Sequence, residues 1–173
     1  MFRSNLFRTI IALACVLASA NAASTPRPLA DISIPTADGK SVKLGQYRGK
    51  VMVVALISTT CGHCIGSLQL LAQLQKTLGP QGFQALAVAA DDNAATGVVG
   101  LAKLQVGFPL GYLNQNTTMQ LVDFKRDDHP FVPIYMFVDR KGTVRFQYAG
   151  KDDFFKNEEK NTRLLVENLL KEK

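Results

Sequence analysis

Two cysteines separated by two residues, Cys61 and Cys64, are the side chains of this sequence best suited to covalent chemistry. They follow the apolar run Val51–Ile57 and stand at the start of Gly62–Leu78, a segment with leucines at helical spacing. A C-x-x-C pair at a strand-to-helix turn is typical of a redox dithiol. At the helix start, Cys61 faces unpaired backbone N–H groups and the positive end of the helix dipole, which favour thiolate over thiol. The sequence therefore predicts that Cys61 is a redox nucleophile.

Two other uses of the pair fit the composition less well. A structural zinc site needs four ligands, and only His63 and His129 remain, with His63 placed between the cysteines themselves. A purely structural disulfide would close so small a loop that it would constrain the unfolded chain little. We therefore expect no metal and no other cofactor.

The first 22 residues have the composition of a secretory signal. Arg3 and Arg8 form a basic start, and an apolar stretch leads to the small-residue cleavage site Ala20-Asn21-Ala22. That stretch is well short of the roughly 20 residues that a membrane-spanning helix needs. The third cysteine, Cys15, would be removed with this segment. An alanine-rich signal without an endoplasmic reticulum retention sequence leads us to expect the bacterial periplasm, with no stable membrane insertion after cleavage.

The remaining chain is expected to be one domain. Without residues 1–22 the net charge falls from +6 to +4, because that segment carries two arginines and no acid. So small an excess of positive charge does not predict nucleic-acid binding. After a linker at 23–28, the domain at 29–173 holds about 150 residues, enough to bury a core without a disulfide. We expect a monomer that uses its cysteines for chemistry.

Strands and helices alternate around the cysteine pair in a βαβ order. The predicted elements are a hairpin at 29–44, a strand Val51–Ile57, a helix Gly62–Leu78, a strand at 83–90, a helix at 94–106 weakened by Gly97 and Gly100, an edge strand at 108–110, a helix at 117–124, a hairpin of 134–138 with 143–148, and a helix at 156–170. This pattern predicts an α/β fold.

The order of elements, with C-x-x-C at the strand-to-helix turn and Phe131-Val132-Pro133 ahead of the last hairpin, resembles the thioredoxin fold. The export signal, the N-terminal hairpin, the phrase Tyr47-Arg48-Gly49-Lys50-Val51 and the inserted helix look like the TlpA and ResA thiol-disulfide oxidoreductases of the redoxin superfamily. The resemblance implies a central mixed sheet flanked by helices. It also implies a cis-proline at Pro133 beside the cysteines, with Val132 offering backbone groups to a substrate strand. Gly62 is assigned to the same substrate-binding set.

Three positions depart from the family pattern. Ala55 stands where thioredoxins place a buried carboxylate that takes the proton of the second cysteine. Ser67 stands where ResA-like proteins often carry glutamate, and Thr60 where a tryptophan usually precedes the first cysteine. We therefore expect deprotonation of Cys64 to be slow or to use another route. Ser58, Ser67 and a bound water are the candidates for that route.

The residues between the cysteines, Gly62 and His63, are those of protein disulfide isomerases. That resemblance implies that His63 stabilises the thiolate of the nucleophile, whereas the plainer interpretation is an exposed polar residue in the first helical turn. We assign His63 a catalytic role and expect a protein less reducing than thioredoxin. We interpret His129 as an exposed loop residue, and its proximity to the cysteines stays open.

Three functions are compatible with these residues. The first is an enzyme that exchanges disulfides with protein thiol and disulfide substrates and with an unidentified redox partner. The second is a thiol peroxidase of the peroxiredoxin type, although Val54 and Ser58 stand where those enzymes need a proline and a threonine. The third is a copper-handling chaperone, because thiolates suit Cu(I), with His129 as a further ligand. The sequence favours the first.

Overall fold

The computed structural model describes residues 24–124 and 130–172, so the predicted signal segment, Cys15 and His129 lie outside the described residues. In these ranges the chain forms eight strands and four α-helices, joined in part by short 3-10 turns. They are β1 (Arg27–Pro28), β2 (Ser33–Pro35), β3 (Ser41–Lys43), β4 (Val51–Ile57), α1 (Gly62–Leu78), β5 (Phe83–Ala89), α2 (Ala94–Leu101), β6 (Leu110–Tyr112), α3 (Gln115–Val122), β7 (Ile134–Val138), β8 (Thr143–Ala149) and α4 (Glu158–Lys171).

Six strands form one mixed sheet in the order β1-β8-β7-β4-β5-β6. Strands β4, β5 and β6 run parallel, whereas β7 is antiparallel to both β4 and β8. The short strands β2 and β3 form a separate antiparallel hairpin. The predicted α/β fold of the thioredoxin type, with a mixed sheet flanked by helices and an N-terminal hairpin, is confirmed.

The two faces of β4 serve two different cores. All seven residues of β4 are buried, as expected for a strand in the middle of a sheet that is covered on both sides. Alternate residues, beginning with Val51, pack with the leucine stripe of α1 and with α2 and α4. The intervening residues, beginning with Met52, pack with the hairpin and α3. Strand β4 is packed on both faces and ends immediately before the cysteine turn. It therefore positions the cysteine pair.

Several element boundaries differ from the predicted ones for local physical reasons. Arg27 and Pro28, expected in the linker, pair with β8 as an edge strand, which no local pattern reveals. Strand β6 begins after Pro109, because proline has no N–H to donate to a ladder. Helix α3 begins two residues early, since the side chain of Asn114 caps it by accepting from Thr117 N–H at 2.9 Å.

Helices α1 and α4 lie on the cysteine side of the sheet, and their bounds can be compared with the predicted ones. Helix α1 has the predicted bounds, and its side chains Leu68, Leu71 and Leu74 are fully buried against the sheet. Each such leucine contributes roughly 1.5–3 kcal/mol of burial free energy. Helix α4 begins at Glu158 rather than 156, because Asp153–Asn157 form a 3-10 turn. Within the described ranges, no helix is both long enough and apolar enough to cross a membrane.

Candidate active site

The two cysteines occupy unlike environments at the start of α1. Cys61 is the N-cap residue, with an extended backbone conformation, and its Sγ accepts a hydrogen bond from Cys64 N–H at 3.2 Å. Cys61 is partly exposed, whereas Cys64 is fully buried, and both are free thiols in the structure. An incoming disulfide therefore has access to Cys61 and not to Cys64.

Burial also makes Cys64 a poor acid. Removal from water, helped by hydrogen bonding and negative charge at Cys61, raises the pKa of the Cys64 thiol to about 12. At neutral pH its sulfur therefore keeps its proton. Any step in which Cys64 acts as a nucleophile needs a group that takes this proton away.

The turn that carries the cysteines is held in place by Asp91. The backbone N–H and the hydroxyl of Thr59 each donate to an oxygen of Asp91, both at 2.7 Å. In the sequence, Asp91 has the features of a solvated turn residue at a strand end. A signal was available, because Ile57 pairs with Ala89 and the residues just beyond two paired parallel strands lie close together.

His63 is fixed against the C-terminal helix. Its Nε2 donates to Oε2 of Glu158 at 2.9 Å, and its ring packs edge-on against Phe155 with centroids 5.6 Å apart. The side chain of His63 remains 46% exposed. His63 therefore lies at the boundary between the active-site turn and solvent, in a defined orientation.

Glu158 is the site residue that sequence reasoning missed. Its other oxygen, Oε1, accepts hydrogen bonds from Ser67 Oγ at 2.6 Å and from the Tyr135 hydroxyl at 2.7 Å. Only 14% of its side chain is exposed. Nothing in the sequence distinguishes Glu158 from its exposed neighbour Glu159, because the contacts come from elements 91 residues earlier and 23 residues earlier.

The predicted substrate-binding residues border the same end of the sheet. The peptide bond between Val132 and Pro133 is cis, as the family resemblance implies. Val132 packs, like Cys61 and Cys64, with the apolar core on the α1 side of the sheet. Gly62 opens α1, and no atom lies within 4 Å of the place where a Cβ would be. The backbone before the proline is held by Gly150, whose N–H donates to Phe131 O at 2.7 Å.

Metal-binding groups are scarce around the pair. In the two described segments, no cluster of three or more His, Cys, Asp or Glu side chains is arranged to hold a metal ion. His63 is engaged by Glu158, and His129 is outside the described residues.

Comparison with known proteins identifies the family of this chain. The model of the AhpC/TSA family matches residues 26–149, which include both cysteines and the cis-proline. The chain belongs to the AhpC/TSA family. This confirms the predicted membership of the redoxin superfamily.

The curated relatives of this AhpC/TSA protein match over part of their length. Glutathione peroxidase 7 of Bos taurus is 36% identical over 72 residues, which are 42% of this chain and 39% of that protein. A probable phospholipid hydroperoxide glutathione peroxidase 6 of Arabidopsis thaliana is 35% identical over 66 residues, 38% of this chain and 28% of that protein. The matched segments thus span well under half the length of these relatives.

Solved structures resemble the AhpC/TSA protein over most of its length. A thiol:disulfide interchange protein of the thioredoxin family from Chlorobium tepidum has a TM-score of 0.68 and 20% identity, covering 85% of this chain and 98% of that one. The thioredoxin domain of a thiol-disulfide oxidoreductase from Bacteroides vulgatus has a TM-score of 0.62 and 18% identity, covering 79% and 96%. At these identities the likeness shows the fold: the AhpC/TSA protein is a thioredoxin-fold redoxin.

Proposed function

We propose that this protein is an exported thiol-disulfide oxidoreductase that acts on protein substrates through Cys61 and Cys64. The observation that supports it best is the division of the pair into an accessible N-cap sulfur and a buried neighbour one helical turn away. Such a pair suits a reaction in which one sulfur meets the substrate and the other acts only afterwards.

The exchange proceeds in two substitutions at sulfur. The Cys61 thiolate, stabilised by Cys64 N–H and by the start of α1, attacks one sulfur of a substrate disulfide. A Cys61–substrate disulfide forms, and the other substrate sulfur leaves as a thiolate. Cys64 then loses its proton and attacks Cys61 Sγ, which closes the Cys61–Cys64 bond and releases the second substrate thiolate. Two electrons pass to the substrate, and the reverse sequence oxidises a dithiol.

Residues around the pair are assigned supporting roles in this proposal. His63, held by Glu158, provides the side chain that stabilises negative charge on Cys61. Val132, Pro133 and Gly62 border the place where an extended substrate segment would lie. A substrate strand could use the backbone groups of Val132, since main-chain pairing is a common way of binding extended peptides.

The proposal is tested by replacing each of the two cysteines in turn. With a disulfide-containing protein such as insulin, the reduced wild type should cleave the substrate disulfides, and Cys61→Ala should not. Cys64→Ala should accumulate a covalent complex through Cys61 that non-reducing electrophoresis detects and dithiothreitol dissolves. A wild type that neither cleaves insulin nor forms a mixed disulfide, or a complex that forms through Cys64, would refute the proposal.

A thiol peroxidase is the second candidate, because the curated relatives are named glutathione peroxidases. Val54, which stands where peroxiredoxins need a proline, is buried on the sheet face opposite to Cys64 and takes no part in the site. We therefore expect slow reaction with hydrogen peroxide. Stopped-flow rates for reduced enzyme with peroxide and with a peptide disulfide compare the two activities directly, and a faster peroxide reaction would favour the peroxidase.

We further propose that the protein works as a monomer in the periplasm with a separate redox partner. A C-x-x-C enzyme that reduces substrates there must itself be reduced again by a second dithiol. Mixed disulfides trapped in cells with Cys64→Ala and identified by mass spectrometry would show both the substrates and that partner.

A further inference from the structure

The carboxylate of Glu158 is largely buried, and holding His63 uses only one of its two oxygens. Within the described residues, its ion-pair partner is His63, and no lysine or arginine pairs with it. Instead, its two oxygens accept hydrogen bonds from Ser67, Tyr135 and His63. A carboxylate withdrawn from water and joined to hydroxyl groups and an imidazole is suited to accepting a proton.

The position of Glu158 relates directly to the two places where this sequence lacks an acid. Ser67, one helical turn after Cys64, donates to Glu158, so the carboxylate lies just beyond the short serine side chain. Ala55 pairs with Tyr135 across β4 and β7, and directly paired residues share a sheet face. The Tyr135 hydroxyl also donates to Glu158. A third element, α4, thus brings a carboxylate to a region that β4 and α1 leave without one.

The Tyr135 hydroxyl contacts both this carboxylate and α1, because it lies 3.4 Å from the carbonyl oxygen of Ser67, one helical turn after Cys64. Tyr135 is fully buried in the same apolar core as Cys64, and its hydroxyl is 2.7 Å from Glu158 Oε1. Burial raises the pKa of Tyr135 well above its usual value, and the negative charges of Glu158 and Cys64 raise it further. The phenol therefore stays protonated at neutral pH, and it can pass its proton to Glu158 only as it receives another.

We propose that Glu158 accepts, through the Tyr135 hydroxyl, the proton that Cys64 loses when it resolves the mixed disulfide, and that His63 orients the carboxylate at the edge of the solvent. This inference rests on the proposed exchange reaction. The Cys64 proton moves to the Tyr135 oxygen as the phenol proton moves to Glu158, and the Cys64 thiolate then attacks Cys61 Sγ. The Cys61–Cys64 bond forms, the Cys61–substrate bond breaks, and the departing substrate thiolate takes up a proton from solvent. Glu158 then releases its proton to solvent, to which 14% of its side chain is exposed, and the His63 Nε2–H holds the re-formed carboxylate in place.

The test measures two steps separately: the attack of Cys61 on the substrate disulfide, and the later attack of Cys64 on the mixed disulfide. Stopped-flow mixing of reduced enzyme with a fluorescent peptide disulfide follows formation and then decay of the mixed disulfide between pH 6 and 9. The titratable groups facing Glu158 are His63 from α1 and Tyr135 from β7, and Ser67 adds a neutral hydroxyl. The variants are Glu158→Gln, which keeps the side-chain shape and one acceptor oxygen for Ser67 and Tyr135, Glu158→Asp, which keeps the acid, and Tyr135→Phe. The matched control is Glu159→Gln, which removes an exposed acid from the same helical turn.

We expect Glu158→Gln to slow decay of the mixed disulfide by about 100-fold at pH 7. Its decay rate should also rise about tenfold per pH unit, because hydroxide must now generate the Cys64 thiolate. Tyr135→Phe should show the same loss, and combining the two changes should add little, since both break one path. Glu158→Asp should regain part of the rate, and Glu159→Gln should match the wild type.

The outcomes separate this inference from the proposed function. If the wild type forms no mixed disulfide, the exchange reaction itself is wrong. If it forms one and Glu158→Gln resolves it with the wild-type rate and pH profile, or is slowed equally at every pH, the inference is wrong and Glu158 is only structural. Should Glu158→Gln fail to fold, Tyr135→Phe decides the matter, because an unaltered pH profile in that variant contradicts the path.

Discussion

At the residue scale, Cys61 and Cys64 differ in exposure, and that difference has a consequence for stability. The pKa of buried Cys64 is raised to about 12, above the roughly 8.5 of an unfolded thiol. Between these two pH values, the folded reduced protein therefore keeps the Cys64 proton, whereas the unfolded chain releases it. The resulting stabilisation is fully present below about pH 8.5 and is lost as pH rises toward 12.

We therefore expect the reduced wild type to lose stability above pH 8.5 more steeply than Cys64→Ala does. Urea unfolding in excess reductant at pH 7, 8.5 and 10 measures the difference, and lysine titration is common to both proteins. Cys61→Ala should retain most of the steep wild-type dependence, because it keeps Cys64 and its burial, the largest cause of the raised pKa. Parallel stability curves for wild type and Cys64→Ala would show that the buried thiol titrates normally.

His63 supports a second prediction at this scale. His63→Gln removes the group proposed to stabilise the Cys61 thiolate but leaves a side chain that can still donate to Glu158. We expect the reduction potential to fall by tens of millivolts, since a tenfold change in the equilibrium constant corresponds to about 30 mV. Equilibration against glutathione measures it. The control Lys76→Gln removes a positive charge at the far end of α1 and should change nothing, whereas an unaltered potential in His63→Gln would leave His63 without an electrostatic role.

At the element scale, α2 packs on the active-site turn through a glycine. A Cβ added at Gly97 would lie 2.6 Å from Cβ and Cγ2 of Thr59, the residue that Asp91 holds in place. In the same helix, nothing lies within 4 Å of a Cβ added at Gly100. Gly97 and Gly100 both weaken the sequence-based prediction of this helix. Of the two, only Gly97 is required to be a glycine by packing.

Gly97→Ala should destabilise the protein by about 1–3 kcal/mol, because Thr59 cannot move without breaking its bonds to Asp91. Gly100→Ala should instead stabilise it by about 0.5–1 kcal/mol, through improved helix propensity. Thermal and urea unfolding of both variants measures these changes. We also expect Gly97→Ala to alter the alkylation rate of Cys61 by displacing the turn. Equal effects of the two substitutions would contradict close packing of α2 on Thr59.

At the scale of the whole molecule, the described elements lie between Arg27 and Lys171, with residues 125–129 outside the description, and the segment 1–22 is predicted to serve export. When the full sequence is expressed in a bacterium, we expect a periplasmic product that begins at Ala23, as intact-mass measurement would show. Ala22→Tyr should block processing, because signal cleavage needs small residues at the end of the segment. A periplasmic product of full length, or a protein confined to the cytoplasm, would contradict a cleaved signal.

Local sequence patterns were enough to predict the α/β fold and the elements that carry the cysteine pair. The C-x-x-C pair, the apolar run of β4 and the leucine stripe of α1 are local patterns, and each depends on residues within a few turns of one another. For this reason the bounds of β4 and α1 were predicted correctly, and the mixed α/β sheet is confirmed. The position of Cys61 at the helix start followed from the same local pattern.

Contacts between distant elements near the cysteine turn and at the sheet edge follow from tertiary packing. Residues Arg27 and Pro28 form strand β1 because they pair with β8 at the edge of the sheet. Asp91 binds Thr59 because the neighbouring strands β4 and β5 end side by side. Glu158 becomes a buried carboxylate because the start of α4 packs beside Ser67 and Tyr135, whereas Glu159, the next residue in the same turn, stays in water. The neighbouring ends of β4 and β5 follow from the βαβ order, but the β1 pairing and the Glu158 contacts depend on the packing of whole elements, which a short-range sequence pattern does not reveal.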